Sequence, residues 1–252
     1  MKPAARRVLA LLGLALLGVL ALTAVAGLPD LGHPRGPYAT AAVTASVAER
    51  HADNAVTGVT FDVRGFDTLG EELILFCAAI GSTVLLRAQR SEGQSEAAVE
   101  RHDAARERTP ASLRALGAAL VGPVLVLGVY VIAHGALTPG GGFQGGIVLA
   151  AALLLVYAAG QILALERVRP VALVEVAEAV GAGAFVLVAL GGLVFAGSAM
   201  ENFLPLGTAG ELLSAGTIPV LNVAVGVEVA AAVTLILTEL LDQALLRHGG
   251  DA

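Results

Sequence analysis

Few residues of this 252-residue chain can do chemistry in an apolar setting, and Glu228 is the most telling of them. It lies about ten residues into the apolar run 218–241, near a bilayer centre at about 1.5 Å per residue, where a bare carboxylate costs roughly 2.5–3.5 kcal/mol. No Lys or Arg lies between 116 and 165 or between 171 and 246, so nothing within those runs can neutralise it. The group must be protonated, face water, bind a cation, meet His134 or pair with a neighbouring subunit. Asn222, six residues earlier, falls on another helix face and reads as a hydrogen bond across helices.

Glu175 and Glu178 share a face one turn apart near the start of another apolar run. One reading is a solvated helix start beside Arg167 and Arg169, where negative charge suits the helix dipole. The other is an inner-side entry for protons or Na⁺, although a sodium site needs several oxygen ligands. His134 ends an apolar run, and reads as a hydrogen-bonded anchor or, with its ordinary pKa near 6.5, as a proton relay. Asp62, Arg64, Asp67, Glu71 and Glu72 form a charged cluster outside the second apolar run. It reads as an interfacial salt-bridge network or, with four acids to one base, as a funnel that concentrates cations.

The octet Pro139-Gly140-Gly141-Gly142-Phe143-Gln144-Gly145-Gly146 joins two apolar runs. Its glycines and proline oppose an ordinary helix, so a broken-backbone loop is expected there, with Phe143 as packing. Such a break serves either as a tight turn between two spans or as backbone exposed to a permeant species, and at membrane depth its polar groups must find partners.

These residues need a scaffold, and composition names its class. Hydrophobic residues make up 56% of the chain and charged ones 14%, with a mean hydropathy of +0.81. That is the balance of an integral membrane protein. The net charge of −6 carries little information about partners, the single Cys77 cannot close an intrachain disulfide, and three Tyr without Trp leave a sparse interfacial belt.

Six runs meet the need for about 20 apolar residues per crossing: 8–28, 69–86, 116–133, 145–165, 179–200 and 218–241. The second is the least complete, because Glu71 and Glu72 stand at its start. With the amino terminus inside, Lys2, Arg6, Arg7, Arg87, Arg90, Arg101, Arg106, Arg108, Arg114, Arg167, Arg169 and Arg247 lie on the cytoplasmic side, twelve of the 15 basic residues. The positive-inside rule thus predicts an all-α bundle of six transmembrane helices with both termini cytoplasmic. The first run, with Lys2, Arg6 and Arg7 before it and Ala24-Val25-Ala26-Gly27 after it, also reads as a cleavable signal peptide.

The organisation expected is a two-span module over 1–90, a charged cytoplasmic linker over 91–112 and a four-span domain over 113–252. Within the outer segment 38–70, Val43, Val47, Val56, Val59 and Phe61 recur among polar residues and predict a short amphipathic helix against the bundle or the membrane.

The stretch Asp53-Asn54-Ala55-Val56-Thr57, continuing through Phe61-Asp62-Val63-Arg64-Gly65-Phe66-Asp67-Thr68-Leu69-Gly70-Glu71, resembles a two-span module of membrane-bound hydrogenases (MbhE-like) and of the large subunit of multisubunit cation/proton antiporters. His134-Gly135 with the octet, Asn202-Phe203-Leu204-Pro205-Leu206-Gly207 and Gly216-Thr217 resembles the B-type subunit of those antiporters, the Mrp (Mnh) family. Together the two resemblances cover about residues 40–245. They imply packed transmembrane helices without a catalytic fold, partner antiporter subunits in a hetero-oligomeric complex, and exchange of Na⁺ against H⁺. Where the chain departs from the family is in joining the two modules.

The expected function is therefore a non-catalytic subunit of a multisubunit Na⁺/H⁺ antiporter in the cell membrane, contributing to assembly and to the ion or proton path through Glu228, Glu178, Glu175 and His134. Alternatives are a purely structural adaptor and a membrane-arm subunit of a related hydrogenase or respiratory complex. No Ser-His-Asp or Cys-His arrangement, metal-ligand spacing or phosphate-binding fingerprint stands in a convincing context, so neither a catalytic residue, a metal nor a cofactor is expected. Nucleic-acid binding lacks a basic face.

Overall fold

The computed structural model describes residues 3–28, 37–87, 110–158 and 171–247. Its helices are α1 (Pro3–Ala26), α2 (Pro37–Thr44), α3 (Ala55–Gly58), α4 (Gly65–Arg87), α5 (Ala111–Ala133), α6 (Gly142–Ala158), α7 (Val171–Phe195) and α8 (Ile218–Arg247), with π-helical turns at Ala45–Glu49 and Val59–Val63. No strand occurs among the described residues. Four helices, α4, α5, α7 and α8, are long and apolar enough to cross a membrane, and α1 and α6 carry shorter apolar stretches, Ala10–Ala26 and Gly142–Val156. A helix thus stands in each of the six expected apolar runs. Residues 159–165 of the fourth run, most of the expected linker, and Arg167 and Arg169 lie outside the described residues.

Residues 1–41 and 42–252 form two compact units. In the first, α1 exposes Val8, Leu11, Leu14, Leu17, Leu22 and Val25, apolar side chains on every face. Such a helix needs lipid or protein around it.

In the second unit α8 is the axis, packed against α4, α5, α6 and α7. Its Leu221, Val225, Val229, Ala232 and Leu235 are buried. Small residues let the neighbouring backbones approach, as helix association in a membrane requires. A Cβ on Gly146 of α6 would stand 2.7 Å from the Val229 Cβ and 2.9 Å from the Gly226 carbonyl, and one on Gly145 would stand 2.8 Å from the Gly128 carbonyl of α5. The octet is therefore only partly a break. Gly140 and Gly141, both at φ +137°, make the turn between α5 and α6. Gly142, Phe143, Gly145 and Gly146, expected in the broken loop, instead form the first turns of α6. Their missing side chains serve helix contact, which outweighs their low helix propensity.

One end of this unit is capped by three loops that interlock. The Asn54 N–H donates to the Ala136 carbonyl (3.0 Å), His51 Nδ1 donates to the Gly207 carbonyl (2.9 Å), and Gly65 lies against Met200. Helices α4, α6 and α8 run away from this capped end and α5 and α7 run toward it. The opposite end therefore carries the bounds Arg87, Ala111 and Val171. The segment 42–64 lies on the bundle, but through Ala52, Asn54, Thr57 and Phe61. Val43, Val47 and Val56 are exposed, on the side left for the membrane, and the π-helical turns shift the register of the segment away from an ordinary 3.6-residue period.

Gly146→Ala is expected to push α6 from α8 and cost about 1–3 kcal/mol, whereas Gly183→Ala, at a position that nothing approaches within 4 Å, should stay within about 0.5 kcal/mol of the parent. Thermal unfolding of the two purified variants in detergent compares them directly.

Candidate functional site: a buried carboxyl series

Three helices meet where α4, α7 and α8 touch one another. The site begins at Gly181 of α7, whose hydrogen takes the place of a side chain: a Cβ there would lie 2.7 Å from both the Cβ and the N of Glu228. This contact brings α7 onto α8 at the level of the acid. Glu228 is fully buried, and Glu72 of α4 and Glu178 of α7 are 1% and 3% exposed. The carboxyl groups of Glu72 and Glu228 face each other across the α4/α8 seam, and Glu178 feels the Glu228 charge from one helical turn beyond Gly181. Among the described residues, no donor beyond this pair meets either oxygen of Glu72 or of Glu228, and Oε1 of Glu178 has no partner.

At about 1.5 Å per residue from the capped end, Glu72 and Glu228 stand roughly 10 and 15 Å deep, and Glu178 stands about one turn below them, because Gly181 is level with Glu228. They form a series along the bundle rather than a cage. Among the described residues no three His, Cys, Asp or Glu side chains come together closely enough to hold a metal ion. The nearby hydroxyls are engaged with backbone: Thr68 donates to the Thr60 carbonyl (2.7 Å), Thr234 to Ala230 (2.6 Å) and Thr238 to Thr234 (2.6 Å). Two facing carboxyl groups in a dry interior cannot both carry charge, so the arrangement suits the holding and passing of protons.

Several sequence expectations change here. Glu72, grouped with the outer charged cluster, leaves it and joins Glu228, because position 72 falls on the inward face of α4 while Glu71 points out and is exposed. His134 does not meet Glu228. It stacks on Tyr130 with ring centroids 4.0 Å apart and its Nδ1 donates to the Tyr130 carbonyl (3.0 Å), which is the anchoring arrangement. Glu175 is half-buried one turn beyond Glu178. Phe143 packs against the apolar core. Glu239, not singled out in the sequence, is 1% exposed, eleven residues and so three turns from Glu228 on the same face of α8. That spacing was the available signal.

The rest of the outer cluster is a salt-bridge network whose hub is Arg50. Its Nε pairs with Asp62 at 2.9 Å and its Nη2 with Glu201 at 3.6 Å, while Arg64 pairs with Asp67. The hydrogen bond that Arg50 donates to Asp62, with the surrounding acids, pushes its guanidinium above its ordinary value.

Three asparagines hold the capped end. Asn222 Oδ1 accepts from the Gly142 N–H (2.8 Å), one of the donors a helix start leaves free. Asn54 Nδ2 donates to the carbonyls of Gly135 (2.8 Å) and Thr138 (2.9 Å) beyond the end of α5. Asn202 receives the Thr217 N–H (3.0 Å) and donates to the Ala215 carbonyl (3.0 Å), just ahead of α8. The polar backbone freed by the turns is thereby satisfied within the protein.

Helices of membrane length, small-residue contacts and interlocked loops define a helical membrane subunit. A family model described as a domain related to the MnhB subunit of Na⁺/H⁺ antiporter matches residues 112–235. An uncharacterized protein of Methanocaldococcus jannaschii is 32% identical over 197 residues, covering 71% of this chain and 73% of that protein. A chain of the membrane-bound sulfane sulfur reductase, an archaeal respiratory membrane complex, superposes with a TM-score of 0.72 and 29% identity over 94% of this chain and 98% of that one. A chain of the Mrp complex from a Dietzia species gives a TM-score of 0.72 at 21% identity, over 95% of this chain but 26% of that longer one, and shares the fold. The chain belongs to the MnhB-related family, and its relatives of known structure are subunits of multisubunit membrane complexes.

Removing the Asn222 side chain leaves the Gly142 N–H buried without an acceptor. Asn222→Ala is expected to cost about 1–3 kcal/mol, and amide hydrogen exchange should rise at the first turn of α6 while the far end of α6 stays protected.

Proposed function

We propose that the chain is a non-catalytic membrane subunit of a multisubunit Na⁺/H⁺ antiporter in the cell membrane, and that Glu72, Glu228 and Glu178 carry protons within it. The observation that carries this reading is the facing of Glu72 and Glu228, buried and, among the described residues, with no hydrogen-bond or ion-pair partner beyond each other. Leaving ionisable groups this way is costly to a fold, and function is the ordinary reason that such groups persist at membrane depth. A proton sits on one carboxyl oxygen, leaves it and joins the next, so the pair passes charge without moving the backbone. Glu175 extends the series toward the Val171 end, and His134 serves as an anchor of the α5/α6 turn. The two expected modules, 1–90 and 113–252, meet in this proposal at the α4/α8 seam, where each contributes one acid of the pair. Other antiporter subunits, Na⁺, H⁺ and the lipid bilayer are the partners, and both termini lie in the cytoplasm.

A second reading is favoured by the near-complete match to a chain of a respiratory membrane complex, which covers 98% of that chain. The same subunit would then sit in the membrane arm of a respiratory or hydrogenase-type assembly and pass protons for it. Native purification with identification of the copurifying subunits separates the two: antiporter subunits alone support the first, and a redox subunit in stoichiometric amount supports the second.

Glu228→Gln in the intact complex is expected to lower proton-coupled exchange in vesicles about tenfold or more, with subunit composition unchanged. Parental exchange in that variant would leave the chain with a scaffolding role.

A further inference from the structure

The surroundings of the carboxyl series differ sharply above and below it. On the side toward the capped end, each of the three helices presents a large apolar residue one turn from the site: Leu69 on α4, Phe185 on α7, and Val225 followed by Leu221 on α8, all in one core cluster with Phe61, Ile218 and Met200. Phe61, from the π-helical turn that lies on the bundle, meets Phe185 with ring centroids 6.2 Å apart. Phe185 and Val225 are fully buried and Phe61 is 3% exposed. Beyond this plug lie the interlocked loops and the Arg50 ion pairs.

On the other side Leu75, Val229 and Leu235 still pack, but small and polar residues stand among them. Ala79, Ala231 and Ala232 are buried there, together with Thr83, Glu178 and Glu239. The hydroxyl of Thr83 has no hydrogen-bond partner, nor does Oε1 of Glu178. Thr83 is eleven residues from Glu72, three turns along the same face of α4, as Glu239 is from Glu228 on α8. Because Gly181 is level with Glu228, Glu178 stands about one turn below the facing pair, and Thr83 and Glu239 about three turns below it. A buried hydroxyl and a buried carboxyl oxygen without a partner among the described residues, both beneath the facing pair, are where water or a travelling proton is expected to be accommodated.

We infer that the carboxyl series exchanges protons with the membrane side at the Ala111 end of the bundle and is sealed from the side of the capped end. The inference rests on the proposed proton-carrying role of the series and adds its direction of access. The helices that form the series bear Glu72 on α4, Glu175 and Glu178 on α7 and Glu228 and Glu239 on α8, with Glu71 exposed on the outer flank of α4, while α5 bears Arg114 and Tyr130, with His134 at its end. Helix α6 carries no Asp, Glu, His, Lys or Arg. A proton entering at the Ala111 end meets Glu175 and Glu178 first, then the Glu228 and Glu72 pair, and stops under Phe61 and Phe185. Onward movement must therefore leave the pair sideways, through the exposed flank of α4 that bears Glu71, and not through the capped loops.

Thiol labelling of the full chain in its native complex tests this. In a Cys77→Ala background, single variants Thr83→Cys, Glu178→Cys, Leu69→Cys and Val225→Cys are exposed to a charged, membrane-impermeant thiol reagent added to one face at a time. Ser112→Cys and Thr208→Cys, both at exposed positions, report which face is reached. The expected result is that positions 83 and 178 react only from the face that labels position 112, and that positions 69 and 225 react from neither. Reaction of 69 or 225 from the face that labels 208 overturns the inference, and so does silence of 83 and 178 from both faces. Exchange by Glu228→Gln is measured alongside: full exchange with one-sided labelling refutes the proton-carrying role and leaves the access route standing, whereas lost exchange with labelling from the capped side refutes the route alone.

Discussion

The hydrogen bond from the Gly142 N–H to Asn222 Oδ1 is the contact on which the rest of the larger unit turns. An apolar surrounding offers a backbone donor no substitute partner, so the break between α5 and α6 is tolerable only where a side chain meets it. Asn222 is itself held by donating to the Ile218 carbonyl one turn back (3.1 Å), which fixes the amide in the orientation the turn needs. With the turn pinned on α8, the glycines of α6 face the Gly226 and Val229 surface, and the close approach of three backbones follows. Asn54 and Asn202 repeat the device at the adjoining loops, so three short polar side chains close one end of the bundle.

That closure bears on the carboxyl series. Helices α4, α7 and α8 are fixed in depth relative to one another at the capped end, and the levels of Glu72, Glu228 and Glu178 are thereby set. Gly181 then removes the side chain that would keep α7 away from Glu228. The cost of burying acids without partners falls on the same helices that the asparagines and glycines hold together. Stability and the proposed proton-carrying arrangement thus fall to different residues of the same three elements.

Much of this was legible in one dimension. Apolar runs of sufficient length located all six apolar helices, since length and hydropathy are properties of the local chain. Glu228 was legible for the same reason: a carboxylate mid-run without a Lys or Arg nearby in sequence is conspicuous whatever packs around it. Glu72 was not, because the string Glu71-Glu72 at a helix start reads as two interfacial charges, and only the rotation of α4 against α8 sends one outward and the other in. The octet was legible as a disruption, yet its last five residues proved helical, because their glycines answer to Val229, Ile132 and Gly226 across helix boundaries and not to local propensity. The outer segment's valines could not be assigned to bundle or membrane from the sequence, because the π-helical turns break the period that would fix their facing.

By itself the sequence determined that the chain is helical, apolar and of membrane length, and that acids lie within its apolar runs, because hydropathy and charge are carried by each residue wherever it is placed. Only the tertiary structure decided which acids face one another, which asparagine serves which turn, and which side of the carboxyl series is plugged by Phe61 and Phe185. Those outcomes depend on helix rotation and depth, which are set by contacts between residues far apart in the chain and leave no mark on any single run of it.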